Sequence, residues 1–155
     1  MLVKTKYFGE INLDEDKVLT FKNGIFGFED CTKYTILYNN DGGARPAISW
    51  LQSLELQELA LPIISPCLVK EDYNPIVNDN LLEPLGDLND NNIVILLTLT
   101  VPSDLTKMTT NLKAPIIINS DTRVGCQIVA ENEDYMIKYP VYDKINNKSE
   151  KKGDM

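Results

Sequence analysis

Hydrophobic and polar residues alternate in short runs along most of the chain, with turn-forming residues between the runs. Alternation over residues 3–8, 17–21 and 33–38 is typical of half-buried strands. The dipeptide Asn23-Gly24, common in tight turns, follows the second of these runs. Further strand-like runs occupy 47–52, 59–64, 92–101, 114–119 and 123–130. The pattern therefore predicts about eight to ten short strands.

Helical periodicity is weak by comparison. Two segments, 53–59 and 78–86, are predicted to form one or two helical turns each, with Ser53 and Asn78 as caps. Pro84 is expected to cut the second one short. Because strands dominate, the predicted fold is all-β and barrel-like.

The length and the composition predict one domain and a soluble protein. A chain of 155 residues with 43% hydrophobic and 25% charged residues is an ordinary globular chain. We place the domain at 1–145 and predict a polar mobile tail at 146–155, which lacks apolar anchors. The longest apolar run, 93–101, is far shorter than the roughly 20 residues of a membrane helix. Charged residues stand near Met1 where a secretory signal needs an apolar run, so the protein is expected to be cytoplasmic. We also expect it to be a monomer on its own.

The negative charge is concentrated in one part of the sequence. The net charge is −8, and residues 52–92 contain eight acidic residues but only one base, Lys70. Such a segment repels phosphate backbones, so we expect no direct nucleic-acid binding, and the short apolar run gives no reason to expect a membrane partner. It would accelerate encounters with a basic protein surface, although acidic residues also serve simply to keep a domain soluble. The predicted contact surface consists of Glu55, Glu58, Glu71 and Asp72, with Tyr73 as a buried anchor.

Motifs for catalysis or cofactor binding are scarce. The chain contains no histidine, which removes the commonest general base and metal ligand, and its three cysteines form no CxxC pair. No phosphate-binding glycine loop is present. A calcium-loop pattern at 87–98 fails, because Asn92 stands where glycine is required and Thr98 where glutamate is required. We therefore predict no catalytic residue, no cofactor and no metal.

One enzymatic alternative stays open. Adjacent carboxylates occur at Glu29-Asp30, Glu71-Asp72 and Glu133-Asp134. If one pair converged in a buried cleft, a small β-barrel hydrolase using carboxylates would be possible.

Five segments, in the same order, resemble the FliW family of flagellar assembly factors. Segment 5–30 is similar to the family's opening, in which a KYFGEI-type strand precedes a GIPGFE-type turn. Here Phe26 stands where the family typically has proline, so we expect a less rigid turn with an aromatic side chain near its apex. The segment "MTTNLKAPIIIN" (108–119) is similar to the signature MTVNLKAPIVIN, with Thr110 in place of valine. The other similar segments are "SWLQS" (49–53), "TRVGCQIV" (122–129) followed by Tyr135, and Tyr139-Pro140.

This resemblance implies a protein-binding function. Members of the family bind flagellin and the RNA-binding translational regulator CsrA, a basic homodimer, so the expected activity is a partner switch without chemistry. Among the motif residues, Gly24, Gly27, Trp50 and Pro115 are predicted to be structural, with Trp50 as a core anchor. Asn111 and Lys113 are expected near the start of a strand, where they reach either a neighbouring loop or a partner.

Overall fold

The computed structural model describes residues 1–39 and 47–145, so the tail predicted at 146–155 lies outside the described residues. The domain contains short strands and short 3-10 helices. The strands are β1 Leu2–Lys4, β2 Glu10–Asn12, β3 Leu19–Thr20, β4 Lys33–Leu37, β5 Ile48–Ser53, β6 Ala60–Ile64, β7 Ile93–Thr100, β8 Thr109–Thr110, β9 Ile116–Asn119, β10 Val124–Gln127 and β11 Tyr139–Pro140. The 3-10 helices are Glu15–Lys17, Pro66–Leu68, Asp79–Leu85 and Leu105–Lys107.

Seven strands close into a barrel. The order is β7-β6-β5-β4-β3-β10-β9, and β9 pairs with β7 again, with Val94 opposite Ile118 and Leu96 opposite Ile116. All these pairings are antiparallel except that of β3 with β10. Strands β8 and β11 extend the sheet beyond the far half of β7, and β1 and β2 form a separate hairpin. The predicted all-β barrel is confirmed.

Strand alternation divides the hydrophobic residues between the inside and the outside of the barrel. Tyr34, Leu51 and Ile116 belong to the interior cluster, where Tyr34 meets Phe21 edge to face at 5.4 Å. Ile117 points the other way and packs beneath the 3-10 helix Asp79–Leu85 in a second cluster. Strand β9 is thus buried at every position, as its run of isoleucines predicts.

The helical predictions had mixed outcomes. Asp79–Leu85 is a 3-10 helix, and the Asn78 side chain accepts a hydrogen bond from the Asn80 N–H at its start, as expected. The helix predicted over 53–59 is wrong: the segment is the tight connection between β5 and β6. Ser53 nevertheless stabilises the start of this connection, since its hydroxyl accepts a hydrogen bond from the N–H of Leu56 at 3.0 Å.

The strand directions determine which connections share an end of the barrel. Because β4 is antiparallel to both β3 and β5, and β6 to β5, the β3–β4 and β5–β6 connections lie at the same end. The N–H of Leu54 donates to the carbonyl of Lys33, which joins the two connections directly. We call this end, formed by 21–32 and 54–59, the aromatic end.

Candidate protein-binding surfaces

Residues 24–29 form a hydrogen-bonded turn at the aromatic end. Ile25 is buried and pairs with Phe28, whose N–H donates to the Ile25 carbonyl at 2.7 Å. Gly24 has φ +70°, and a Cβ there would lie 2.5 Å from the backbone of Glu29. Gly27 has φ +90° and faces open space. The glycine roles predicted from the sequence thus match the backbone.

The turn presents two aromatic side chains to solvent. Phe26 is 49% exposed and Phe28 is 40% exposed. The N–H of Phe26 donates to Gln127 Oε1 at 2.9 Å, and Gln127 Nε2 donates to the carbonyl of Ala114. This side-chain amide holds the turn against the end of β10. An aromatic pair on a fixed backbone can meet a partner with little loss of conformational entropy.

Acidic side chains lie beside this turn. Glu29 and Asp30 follow the aromatic residues directly, and all four acids of the two connections are exposed. Glu55 reaches across from the β5–β6 connection: its Oε1 accepts from the N–H of Thr32 at 2.7 Å and of Lys33 at 2.8 Å. These two bonds lower the pKa of the Glu55 carboxyl. Glu58 is exposed on the same connection.

The predicted acidic contact surface is divided by the fold. Glu55 and Glu58 precede β6, whereas Glu71 and Asp72 follow it, beyond the 3-10 helix Pro66–Leu68. Strand β6 and this 3-10 helix thus separate the two pairs along the chain, and a contact surface shared by all four acids stays a prediction. Tertiary structure groups Glu55 and Glu58 with Glu29 and Asp30.

Asp72 and Tyr73 already have partners within the chain. Asp72 forms an ion pair with Lys70 at 3.0 Å, which holds the pKa of the Asp72 carboxyl below its usual range. The Tyr73 hydroxyl donates to the carbonyl of Leu112 at 2.8 Å, and its ring stacks on Tyr135 at 5.0 Å. Tyr73 therefore anchors its own segment to the domain, which leaves only part of its ring for a partner. Glu71 is exposed.

The motif "NLKAP" organises the backbone that leads into β9. Asn111 Oδ1 accepts hydrogen bonds from the N–H groups of Lys113 and Ala114, at 2.9 and 3.1 Å. Lys113 Nζ donates to the carbonyl of Asn132, so it reaches the neighbouring loop. Pro115 is buried immediately before β9. Both polar side chains act inside the fold, and each stays half-exposed.

The prediction that Trp50 is a core anchor is wrong. Trp50 is half-buried, because alternation along β5 places its neighbour Leu51 inside the barrel. The indole lies on the outer wall, with its ring 4.4 Å from that of Tyr7. Its role is to attach the segment after β1 to the barrel.

The paired carboxylates do not form a cleft. All six side chains, Glu29, Asp30, Glu71, Asp72, Glu133 and Asp134, are exposed. Over residues 1–39 and 47–145, no three acidic or cysteine side chains come together as a metal would require. In the same ranges no helix has the length and hydrophobicity needed to cross a bilayer. The geometry of these acids suits contact with a macromolecule better than catalysis on a small molecule.

Comparisons with known proteins agree on one family. The model of the FliW protein family matches residues 2–141. The chain is 59% identical over 151 residues to the flagellar assembly factor FliW of Lachnoclostridium phytofermentans, covering 97% of each chain. It is 51% identical over 144 residues to that of Lachnospira eligens, covering 92% of this chain and 95% of the other. A crystal structure of a flagellar assembly factor FliW superposes with a TM-score of 0.82 at 29% identity, covering 91% of this chain and 96% of the other.

Proposed function

Because the chain belongs to the FliW family, we propose that it is a cytoplasmic flagellar assembly factor that switches between two protein partners. When free, it sequesters the translational regulator CsrA and so relieves repression of flagellin messenger RNA. Flagellin that accumulates before secretion competes for it and releases CsrA. The observation that carries this proposal is the match to the family over residues 2–141.

The charge of the protein supports a basic partner. CsrA must present a basic surface to RNA, and this chain has a net charge of −8. Opposite charges accelerate encounter and make association depend on salt. A reversible switch also needs affinities that cellular concentrations can saturate, with Kd of about 10⁻⁶ to 10⁻⁹ M.

Two features favour binding over the hydrolase alternative. The adjacent carboxylates are exposed on the surface, and the turn 24–29 places aromatic rings in solvent. A carboxylate hydrolase requires two acids that converge on one bond, whereas protein partners are recognised by aromatic and charged groups on an open surface.

The proposal is tested with the purified protein, flagellin and CsrA from the same organism. Calorimetry at low and at high salt should give a complex with each partner, and the CsrA complex should weaken more with salt. A labelled flagellin leader RNA should leave CsrA when this protein is added and return when flagellin is added. Absence of both complexes at low salt would refute the proposal.

The acids after β6 give a second test. Glu71→Lys with Asp72→Lys should slow association with CsrA several-fold at low salt and flatten its salt dependence, because long-range attraction is reduced. The control is Asp14→Lys with Asp16→Lys, an equal charge change at exposed residues before β3. Equal association rates for the two variants in stopped-flow measurements would mean that Glu71 and Asp72 do not steer the encounter with CsrA.

A further inference from the structure

The aromatic end combines exposed aromatic side chains with exposed acids, and no partner has yet been assigned to it. Phe26 and Phe28 are the exposed aromatic residues of the turn 24–29, and four exposed acids flank them in the two connections. Exposed aromatic side chains on a rigid backbone contribute most of the free energy in many protein interfaces. They are otherwise a liability for a monomeric protein, since they promote association.

We infer that the aromatic end is the docking surface for the basic regulator, with Phe26 inserting into an apolar site bordered by lysine or arginine. This inference rests on the proposed function for the identity of the partner. It differs from the sequence-based surface, because it places the direct contact on Phe26, Phe28, Asp30 and Glu58, whereas Glu71 and Asp72 act on encounter through long-range attraction only.

The turn is held by four independent contacts, so its shape is set before binding. Ile25 packs in the barrel interior, and the Phe28 N–H donates to its carbonyl. The Phe26 N–H donates to Gln127, and the Gly27 N–H donates to Glu29 Oε1 at 3.2 Å. None of the four uses the ring of Phe26. The ring is therefore available to a partner while its backbone stays in place.

The charges around the turn select the class of partner. The connections 21–32 and 54–59 contain four acids and one lysine, Lys22, and a second lysine, Lys33, begins β4 beside them. One of these lysines, Lys33, donates to the Thr20 hydroxyl at 2.8 Å. An acidic border disfavours RNA and anionic lipid and favours a protein surface with positive charge. Asp30 and Glu58 are exposed, whereas Glu55 is used to hold Thr32 and Lys33.

The first test removes the aromatic ring. Phe26→Ser should weaken CsrA binding about tenfold or more, mainly through faster dissociation, because a buried aromatic contact is lost. Its control is Leu81→Ser, since Leu81 is 47% exposed but lies on the 3-10 helix Asp79–Leu85, which packs on the outer wall of β10. Phe26→Tyr keeps the ring and should restore most of the affinity. Circular dichroism and thermal unfolding verify that each variant is folded.

The second test reverses the flanking charge. Asp30→Lys with Glu58→Lys should slow association several-fold at low salt, whereas Asp14→Lys with Asp16→Lys should not. If wild type binds CsrA but Phe26→Ser and Leu81→Ser bind equally well, the inference is wrong and the proposed function stands. Loss of flagellin binding alone in Phe26→Ser would assign the surface to the other partner and also overturn the inference. If wild type binds neither protein, both proposals fall.

Discussion

Glu55 lies on the β5–β6 connection, but its carboxylate binds the backbone at the start of β4. In the sequence it is one of several acids in a negative segment, and a partner contact is the natural prediction. In the fold its carboxylate accepts from two consecutive backbone N–H groups at the start of β4. These groups lie where β4 begins, and one carboxylate from the β5–β6 connection satisfies both at once.

Glu55→Ala is therefore expected to lower the free energy of unfolding by about 1 kcal/mol, because the N–H groups of Thr32 and Lys33 lose their acceptor. Glu55→Gln should cost less, since an amide oxygen can still accept. The wild-type contribution should be fully present above pH 4.5, the ordinary pKa of the carboxyl, and should disappear as the pH falls through its lowered folded value. Urea unfolding of the three proteins at pH 7 and pH 3 measures both effects. If Glu55→Ala matched wild type at pH 7, the structural role would be wrong.

At the scale of the element, the two glycines of the turn 24–29 differ in the space that surrounds them. Both have positive φ, which L-residues rarely adopt. Only Gly24 also has a close neighbour, the backbone of Glu29, while Gly27 faces open space. The sequence predicts that both residues tolerate a left-handed conformation, but only the structure shows which one is also limited by space.

Gly27→Ala should thus cost about 1 kcal/mol of stability, from the unfavourable φ alone. Gly24→Ala should cost about 3 kcal/mol or more, since the added methyl group also meets backbone that cannot move aside easily. Chemical denaturation of the two variants gives the comparison. A similar loss for both would show that space at Gly24 is not limiting.

At the scale of the whole molecule, closure of the barrel joins distant parts of the chain. Strand β7 pairs with β6 on one side and with β9 on the other, and β10 returns to lie parallel to β3. Every strand of the barrel therefore pairs with a neighbouring strand on both edges. The β1–β2 hairpin forms its own two-stranded sheet and is joined to the barrel by contacts such as the Lys6 N–H with Gln52 Oε1, and two strands alone are only marginally stable.

Backbone amides in the barrel should therefore be more strongly protected from hydrogen exchange than those in the hairpin. Amides of β5, β6 and β9 should exchange only with global unfolding, whereas those of β1 and β2 should exchange through local opening at a lower free energy. Mass spectrometry of exchange at native conditions measures this difference. Equal protection in the hairpin and in the barrel would mean that contacts such as Tyr7 with Trp50 tie the hairpin fully to the domain.

The sequence by itself determined the strand content, the buried run 116–118, the cap at Asn78 and the family. These features depend on local periodicity, local turn chemistry and ordered motifs, and each of these involves residues that are close together in the sequence. Only the tertiary structure decided which acids share a surface, that Trp50 lies on the outer wall, and that Asn111 and Lys113 bind within the fold. The reason is physical: proximity in a closed barrel depends on which strands pair and in which direction, so Glu55 lies near Thr32 while β6 separates it from Glu71.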